Sequence, residues 1–353
     1  MITTDILIIG AGPTGLFTVF EAGLLKLKCH LIDALPQAGG QCSEIYPKKP
    51  IYDIPAYPEI LAGDLVARLL EQIKPFEAGY TLGERAETLE KQADGSFIVT
   101  TNHGTAHHAK VVVIAGGLGS FEPRKPAIVN IRDYEDKGVA YIIKDPEAYR
   151  NKKVVIAGGG DSALDWAIFL ADVASEVTLV HRRDEFRGAL DSVEKAAELA
   201  KLGKIKLLTQ AQITALHGHD ILSGVVVQHN DREKEDTYLE VDAFIPLFGL
   251  SPKLGPIGNW GLDIEKNAIK VNNAKDYQTN IPGVFAIGDV NTYEGKLKLI
   301  LSGFHEAAVM CQYAYKIIHP NKRYLMKYTT VGGVQGFDGT RKEAKKEVVQ
   351  SIL

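Results

Sequence analysis

Two glycine turns, and the charged side chains that close them, are the parts of this sequence best suited to chemistry. Gly10, Gly12 and Gly15 stand at the spacing G-x-G-x-x-G in the stretch DILIIGAGPTG. At that spacing the first glycine permits a tight turn, the second lets backbone approach a pyrophosphate, and the third lets the following helix pack closely. Pro13 and Thr14 open that helix, whose first amides point at the phosphate. Asp33 ends a second apolar run, where a carboxylate accepts hydrogen bonds from both ribose hydroxyls. A 2'-phosphate beside that acid would force two negative charges together, so this turn is expected to hold FAD or NAD, not NADP.

The device repeats in KVVIAGGGDSALDWA. Gly158 and Gly160 hold the first two positions, Ala163 takes the third in the permitted G-x-G-x-x-A form, and the next helix begins at Ser162, just after Asp161. In place of an acid, this second unit ends its strand in His181, Arg182 and Arg183, with Arg187 close behind. Cations at that position are what a 2'-phosphate requires, and guanidinium contacts to it are strong and charge-assisted. The second turn is therefore expected to bind NADPH.

Positioning these groups takes a particular set of elements. Ile6 to Ile9 and Val154 to Ala157 are uninterrupted apolar runs, expected of strands buried on both faces of a parallel sheet. Cys29 to Ile32 and Glu176 to Val180 supply the partner strands. Between them the sequence predicts a long irregular loop over 35–58, carrying Gly39, Gly40, Gln41 and the tyrosines 46, 52 and 57 toward a flat heterocycle. A helix is expected over 64–76, a hairpin turning at Asp94 and Gly95, and a buried strand from Val111 to Ile114 that leads into Ala115, Gly116 and Gly117. Residues 205–248 read mainly as strands. PGVFAIGD then ends in Asp289, placed to accept from a polyol hydroxyl, and a last helix is expected over 303–318. His305 and Glu306 begin like a zinc-binding H-E-x-x-H, but Val309 stands where the second histidine belongs, and no metal site is expected.

The chain has 353 residues, enough for two domains, with a net charge of -4 and no basic aromatic stripe, which argues against a nucleic-acid partner. Met1 runs almost directly into the first strand and no apolar run is long enough to span a bilayer, so a cytoplasmic protein without membrane contact is expected. Three scattered cysteines, Cys29, Cys42 and Cys311, offer no disulfide framework.

Two dinucleotide turns in one chain, with G-D near the end, resemble the two-dinucleotide-binding flavoproteins. GGGDSALDWA with HRRDEFR is similar to the NADPH domain of low-molecular-weight thioredoxin reductases, yet AYIIKDPEAY lacks the C-x-x-C pair those enzymes carry there. IYPKKPIYDI, GSFEPRK and YEGKLKLILSGFHEA resemble the thioredoxin-reductase-like ferredoxin-NADP+ reductases. The resemblance covers nearly the whole chain. It implies an α/β architecture of two Rossmann-like dinucleotide-binding domains, each a three-layer ββα arrangement. The NADPH domain (121–248) would be inserted into an FAD domain (1–120 and 249–330), with a C-terminal tail over 331–353 that is charged from Arg341 onward.

It also implies roles for particular residues. Tyr46 would stack on one face of the isoalloxazine, Gln41, Ala86 and Phe121 would line the FAD, and Thr14, Asp33 and Asp289 would hold the rest of it. Tyr328 with Thr330 would cover the other flavin face from a partner subunit, which makes a homodimer. The implied activity is electron transfer between NADPH and a one-electron carrier, ferredoxin or flavodoxin. Lys48, Lys49, Arg124, Lys125, Lys322, Arg323 and Lys327 are candidates for meeting an acidic carrier. Reduction of a quinone or an external disulfide, and a non-catalytic flavin redox sensor, are the alternatives.

Overall fold

The computed structural model describes residues 1–119, 122–231, 233–251, 253–322, 329, 333 and 334. The chain divides into two units, Met1–Ser120 with Pro252–Leu353, and Phe121–Ser251 between them in sequence.

The first unit is built on the strand Ile2–Ile9, paired in parallel with Cys29–Asp33 on one side and Ala106–Ile114 on the other. Gly79–Leu82 extends the sheet beyond Cys29–Asp33, and Val284–Ala286 adds to the end of Ala106–Ile114. The hairpin Ala86–Lys91 and Phe97–Thr101 joins the far side antiparallel. Ile6, Leu7 and Ile8 are fully buried, each contributing about 1.5 to 3 kcal/mol of apolar burial. Alternation divides them: Ile6 and Ile8 belong to the cluster with the helices Pro13–Leu24, Ala62–Ile73 and Ile300–Ile318, whereas Leu7 and Ile9 pack toward Phe97, Ile269 and Val290 on the opposite face. Because Ile9 is in register with both Ile32 and Ile114, the three strands end together. Asp33, Gly10 and Ala115 therefore emerge side by side.

The second unit repeats the plan on a smaller scale. Its parallel sheet runs Lys206–Leu208, Glu176–Val180, Lys153–Ala157, Ala243–Pro246. The helices Asp161–Leu170 and Leu190–Lys201 and an antiparallel meander, Ala211–Gly218, Leu222–His229 and Thr237–Glu240, complete it. Val155, Ala157, Val180 and Phe244 of the sheet pack with Ile213, Leu216 and Val225 of the meander. Here Ala157 is in register with Val180 and Pro246, so His181 emerges beside Gly158 as Asp33 does beside Gly10.

Local structure departs from the sequence expectation in three places. The 35–58 segment is not wholly irregular: Gly39 (φ 119°) and Gly40 (φ 57°) turn the chain so that Gln41–Glu44 closes one helical turn, and Pro50–Ile51 pairs with Ile60–Leu61. The helix Leu190–Lys201 stands outside the sequence expectation, although Leu190, Val193, Ala196, Ala197 and Ala200 fall at helical spacing; of these only Ala196 is buried. The last helix starts at Ile300, a turn earlier than its small residues suggested. Among the described residues no helix is long and apolar enough to cross a membrane. The expected tail lies almost entirely outside the described residues.

Candidate functional site: two glycine turns

Gly10 has φ 109°, a conformation other residues rarely adopt, and a Cβ there would overlap the Ala115 carbonyl. A Cβ on Gly15 would overlap the Gly10 carbonyl, which is why the helix can begin so close to the strand end. Gly12 caps Pro13–Leu24 in an extended conformation, with no capping side chain and no acid in the first turn. Its amide end is thus open to an anion.

The Gln41 loop is drawn against this turn. Gly39 N donates to Ala11 O at 2.8 Å, and a Cβ on Gly40 would come within 3.1 Å of Gly12 Cα. The Gln41 amide nitrogen lies 3.7 Å from where a Gly117 Cβ would stand. Thr14 is flanked by two further glycines: a Cβ on Gly288 would meet its hydroxyl at 3.1 Å, and one on Gly303 would overlap it. Gly288 begins the turn Gly288–Val290 that carries Asp289. Thr14, Gln41 and Asp289 are thus brought to one glycine-lined cradle around the residue 10–15 turn.

Asp33 does more than face outward. Its Oδ2 accepts from Ala11 N at 2.7 Å and its Oδ1 from Leu35 N at 2.9 Å, so the acid also holds the glycine turn. Burial raises its carboxyl above the ordinary value, opposed by those two backbone donors. Burial likewise raises Asp289, while Lys298 and Lys296 pull it down. Tyr46 is half-buried against the helix-side core, close to Cys42, with Lys49 Nζ 5.9 Å from its ring centre. Tyr52 and Tyr57 are exposed. Ala86 is buried at the start of the hairpin. Phe121, Tyr328 and Thr330 lie outside the described residues, as do Arg323 and Lys327. Lys125 is engaged with Glu135 at 2.7 Å.

The second turn is built differently. Gly160 caps Asp161–Leu170 without a side-chain bond, and a Cβ there would meet nothing within 4 Å. Ala163 is fully buried beneath Gly158. Asp161, at the helix start, turns its Oδ1 to Ala189 N at 2.7 Å, while Ser162 is exposed. His181 occupies the position equivalent to Asp33, but its ring is packed over Gly159, stacks on Phe186 at 4.9 Å, and bonds the Glu185 carbonyl through Nε2 at 3.1 Å. Burial, with Arg182, Arg183 and Arg187 nearby, holds it below the usual imidazole range, so it is uncharged at neutral pH. His181 is therefore placed as a wall, not as the cation its sequence position suggested. The 181–189 loop is clasped to the glycine turn by Arg187 N on Gly159 O at 2.6 Å, and Arg182, Arg183 and Arg187 remain exposed.

One residue that sequence reasoning set aside turns out to be central. Glu306 is fully buried and accepts from Gly288 N at 2.7 Å, Asn291 Nδ2 at 2.9 Å, Tyr293 OH at 2.8 Å and Lys296 Nζ. The signal was present. Glu306 lies on the same helical stripe as Gly303, Ala307, Met310, Cys311 and Ala314, and a carboxylate on a buried stripe needs partners.

The fold and the paired turns define a two-domain α/β oxidoreductase of the dinucleotide-binding kind. A family model described as pyridine nucleotide-disulphide oxidoreductase matches residues 4–309. Ferredoxin–NADP reductase 2 of Christiangramia forsetii is 78% identical over 352 residues, covering 100% of this chain and 99% of that one. The ferredoxin–NADP reductase of Flavobacterium johnsoniae is 72% identical over 353 residues, covering 100% of both chains. The thioredoxin reductase of Lactococcus lactis, a solved structure, superposes with a TM-score of 0.77 at 25% identity, covering 90% of this chain and 99% of that one. The chain belongs to the pyridine nucleotide-disulphide oxidoreductase family and, within it, to the thioredoxin-reductase-like ferredoxin–NADP reductases.

Proposed function

We propose that this enzyme moves electrons between NADPH and a one-electron carrier protein, ferredoxin or flavodoxin, through an FAD held by the first unit. The cradle supports that cofactor on structural grounds. A Cβ on Gly116 would meet nothing within 4 Å and one on Gly12 only Gly40 Cα at 3.9 Å, so the protein's own packing gives little reason for glycine at either place. Close approach of a ligand does. The same holds for Gly160 in the second unit.

On this reading the amides after Gly12 receive the FAD pyrophosphate, Asp33 the ribose hydroxyls and Asp289 the polyol, with Thr14, Gly40, Gln41 and Ala86 lining the remainder. Tyr46 orients the isoalloxazine, joined by Phe121 and, from the partner of a homodimer, Tyr328 and Thr330. Arg182, Arg183 and Arg187 bind the 2'-phosphate of NADPH while Gly158, Gly160, Asp161, Ser162 and Ala163 shape the turn beneath its pyrophosphate. When bound, the flavin accepts a hydride and can pass its electrons on singly. The residues contribute alignment, and no acid-base dyad is required.

The observation that carries the choice of a one-electron carrier concerns sulfur. All three cysteines are free and buried, and burial raises each thiol well above its ordinary value, Cys42 to about 11. Each is thus held as an unreactive thiol, so electrons reaching the flavin have no thiol pair to enter. The experiment is anaerobic mixing of the yellow protein with NADPH, followed through loss of flavin absorbance, then addition of ferredoxin, a quinone or a low-molecular-weight disulfide. Fastest reoxidation by ferredoxin is expected; faster reoxidation by either small acceptor would replace this reading, and a colourless chain that takes up no flavin would end it. Sedimentation of the holoenzyme tests the homodimer.

A further inference from the structure

The Glu306 carboxylate is saturated. An ionised carboxylate offers two acceptor sites per oxygen, and here Oε2 takes Gly288 N and Asn291 Nδ2 while Oε1 takes Tyr293 OH and Lys296 Nζ. All four donors come from the single segment 288–296, which begins with the turn that carries Asp289. Asn291, itself fully buried, directs its amide nitrogen to Ala286 O at 2.9 Å as well as to Glu306, leaving its Oδ1 without a partner. The Lys296 side chain is only 5% exposed. A buried ammonium must have a counter-charge, and Asp289, which already feels Lys298, is a second carboxylate within electrostatic reach of Lys296.

We infer that Glu306 is the positioning residue of the dinucleotide cradle: it pins the 288–296 segment and holds Lys296 away from Asp289, leaving the Asp289 carboxylate free for the polyol hydroxyls of FAD. This rests on the proposed placement of FAD. An amide in place of Glu306 has one acceptor oxygen and would present N–H to donors. It would abandon two of them and release Lys296 to capture Asp289.

The test is Glu306→Gln, alone and combined with Lys296→Met, read by FAD titration and by the thermal midpoint of apo- and holoprotein. E306Q is expected to weaken FAD at least about tenfold and to shrink the rise in midpoint that FAD produces. Removing the freed cation in the double variant is expected to recover affinity to within roughly threefold of wild type. Wild-type affinity in E306Q, an equal fall in both midpoints with the FAD increment intact, or a double variant as weak as E306Q would each overturn the inference. Should E306Q not fold, Tyr293→Phe removes one donor and is expected to weaken FAD by a few-fold, with no change overturning the inference. A wild-type chain that binds no flavin refutes the proposed function instead, so the two failures are distinct.

Discussion

The same strand-turn-helix device occurs twice in this chain, and the two copies use the side chain at the strand end in opposite ways. Both turns carry a backbone clasp on the middle residue, Gly39 N on Ala11 O in the first and Arg187 N on Gly159 O in the second. In the first, the strand-end side chain adds to it: Asp33 takes Ala11 N with one oxygen and Leu35 N with the other. In the second, the equivalent side chain, His181, fills the space above Gly159. Arg182, Arg183 and Arg187 beside it remain exposed, available to a phosphate. A one-residue difference follows from this: Ala11 can carry a methyl because a small carboxylate faces it, whereas Gly159 cannot because an imidazole does.

The largest expected effect comes from removing the first of these side chains. Asp33→Ala leaves two backbone N–H groups without a partner and removes the ribose acceptor, so FAD affinity should fall by about 2 to 4 kcal/mol. Flavin content after gel filtration and titration of the apoprotein measure it; retention of a full complement of FAD would show that the acid is not a ligand. Next in size, Arg182→Ala should cost about 1.5 to 3 kcal/mol of NADPH affinity and spare NADH. Equal losses for both cofactors in steady-state KM would mean that the exposed arginines do not read the 2'-phosphate.

Much of this contrast was legible in the sequence, because each turn is fixed by residues adjacent in the chain: a glycine at the strand end where a Cβ would overlap neighbouring backbone, an apolar run before it, a helix after it. The charges at the strand ends were readable for the same reason, since register places them beside the first glycine. What could not be read was the direction of side chains. His181 sits among arginines in sequence, and only its packing over Gly159 shows it turned inward. Glu306 was hidden similarly: its four donors lie on another segment, so a motif reading that excludes a metal site at His305 and Glu306 leaves the carboxylate without a role, where the fold gathers four donors on it. The helix Leu190–Lys201 was legible as well, since Leu190, Val193, Ala197 and Ala200 keep a helical period even though only Ala196 is buried.

A substitution at the second turn separates folding from binding. Gly160→Ala places a methyl where no protein atom lies within 4 Å, at φ -103°, so the fold should keep its stability to within about 0.5 kcal/mol. The methyl would stand in the path of the NADPH pyrophosphate, and KM for NADPH should rise roughly tenfold. Gly15→Ala is the contrasting variant, since its methyl overlaps the Gly10 carbonyl and should destabilise the first unit outright. An unchanged KM in G160A would remove that turn from the binding site.

The smallest effect distinguishes the two units by acid. In the first sheet, Thr81 Oγ1 joins the His30 ring at 2.8 Å to the His107 ring at 2.9 Å, with His107 fully buried. Burial, with His107 beside it, lowers His30 to about 4, and burial lowers His107 as well. The unfolded chain, with histidines near the ordinary value, takes up these protons first. Stability is therefore complete above about pH 6.5 and is lost as pH falls toward 4, by about 1 to 2 kcal/mol for His30. His181 of the second unit is also lowered, but its ring bonds a loop carbonyl instead of bridging strands. The two tryptophans, Trp260 in the first unit and Trp166 in the second, report the units separately in W166F and W260F variants. From pH 7 to about pH 5 the urea midpoint seen by Trp260 should fall further than that seen by Trp166, and His30→Gln should narrow the gap. Equal falls in both, untouched by H30Q, would show that the histidine pair does not set the acid sensitivity of the first unit.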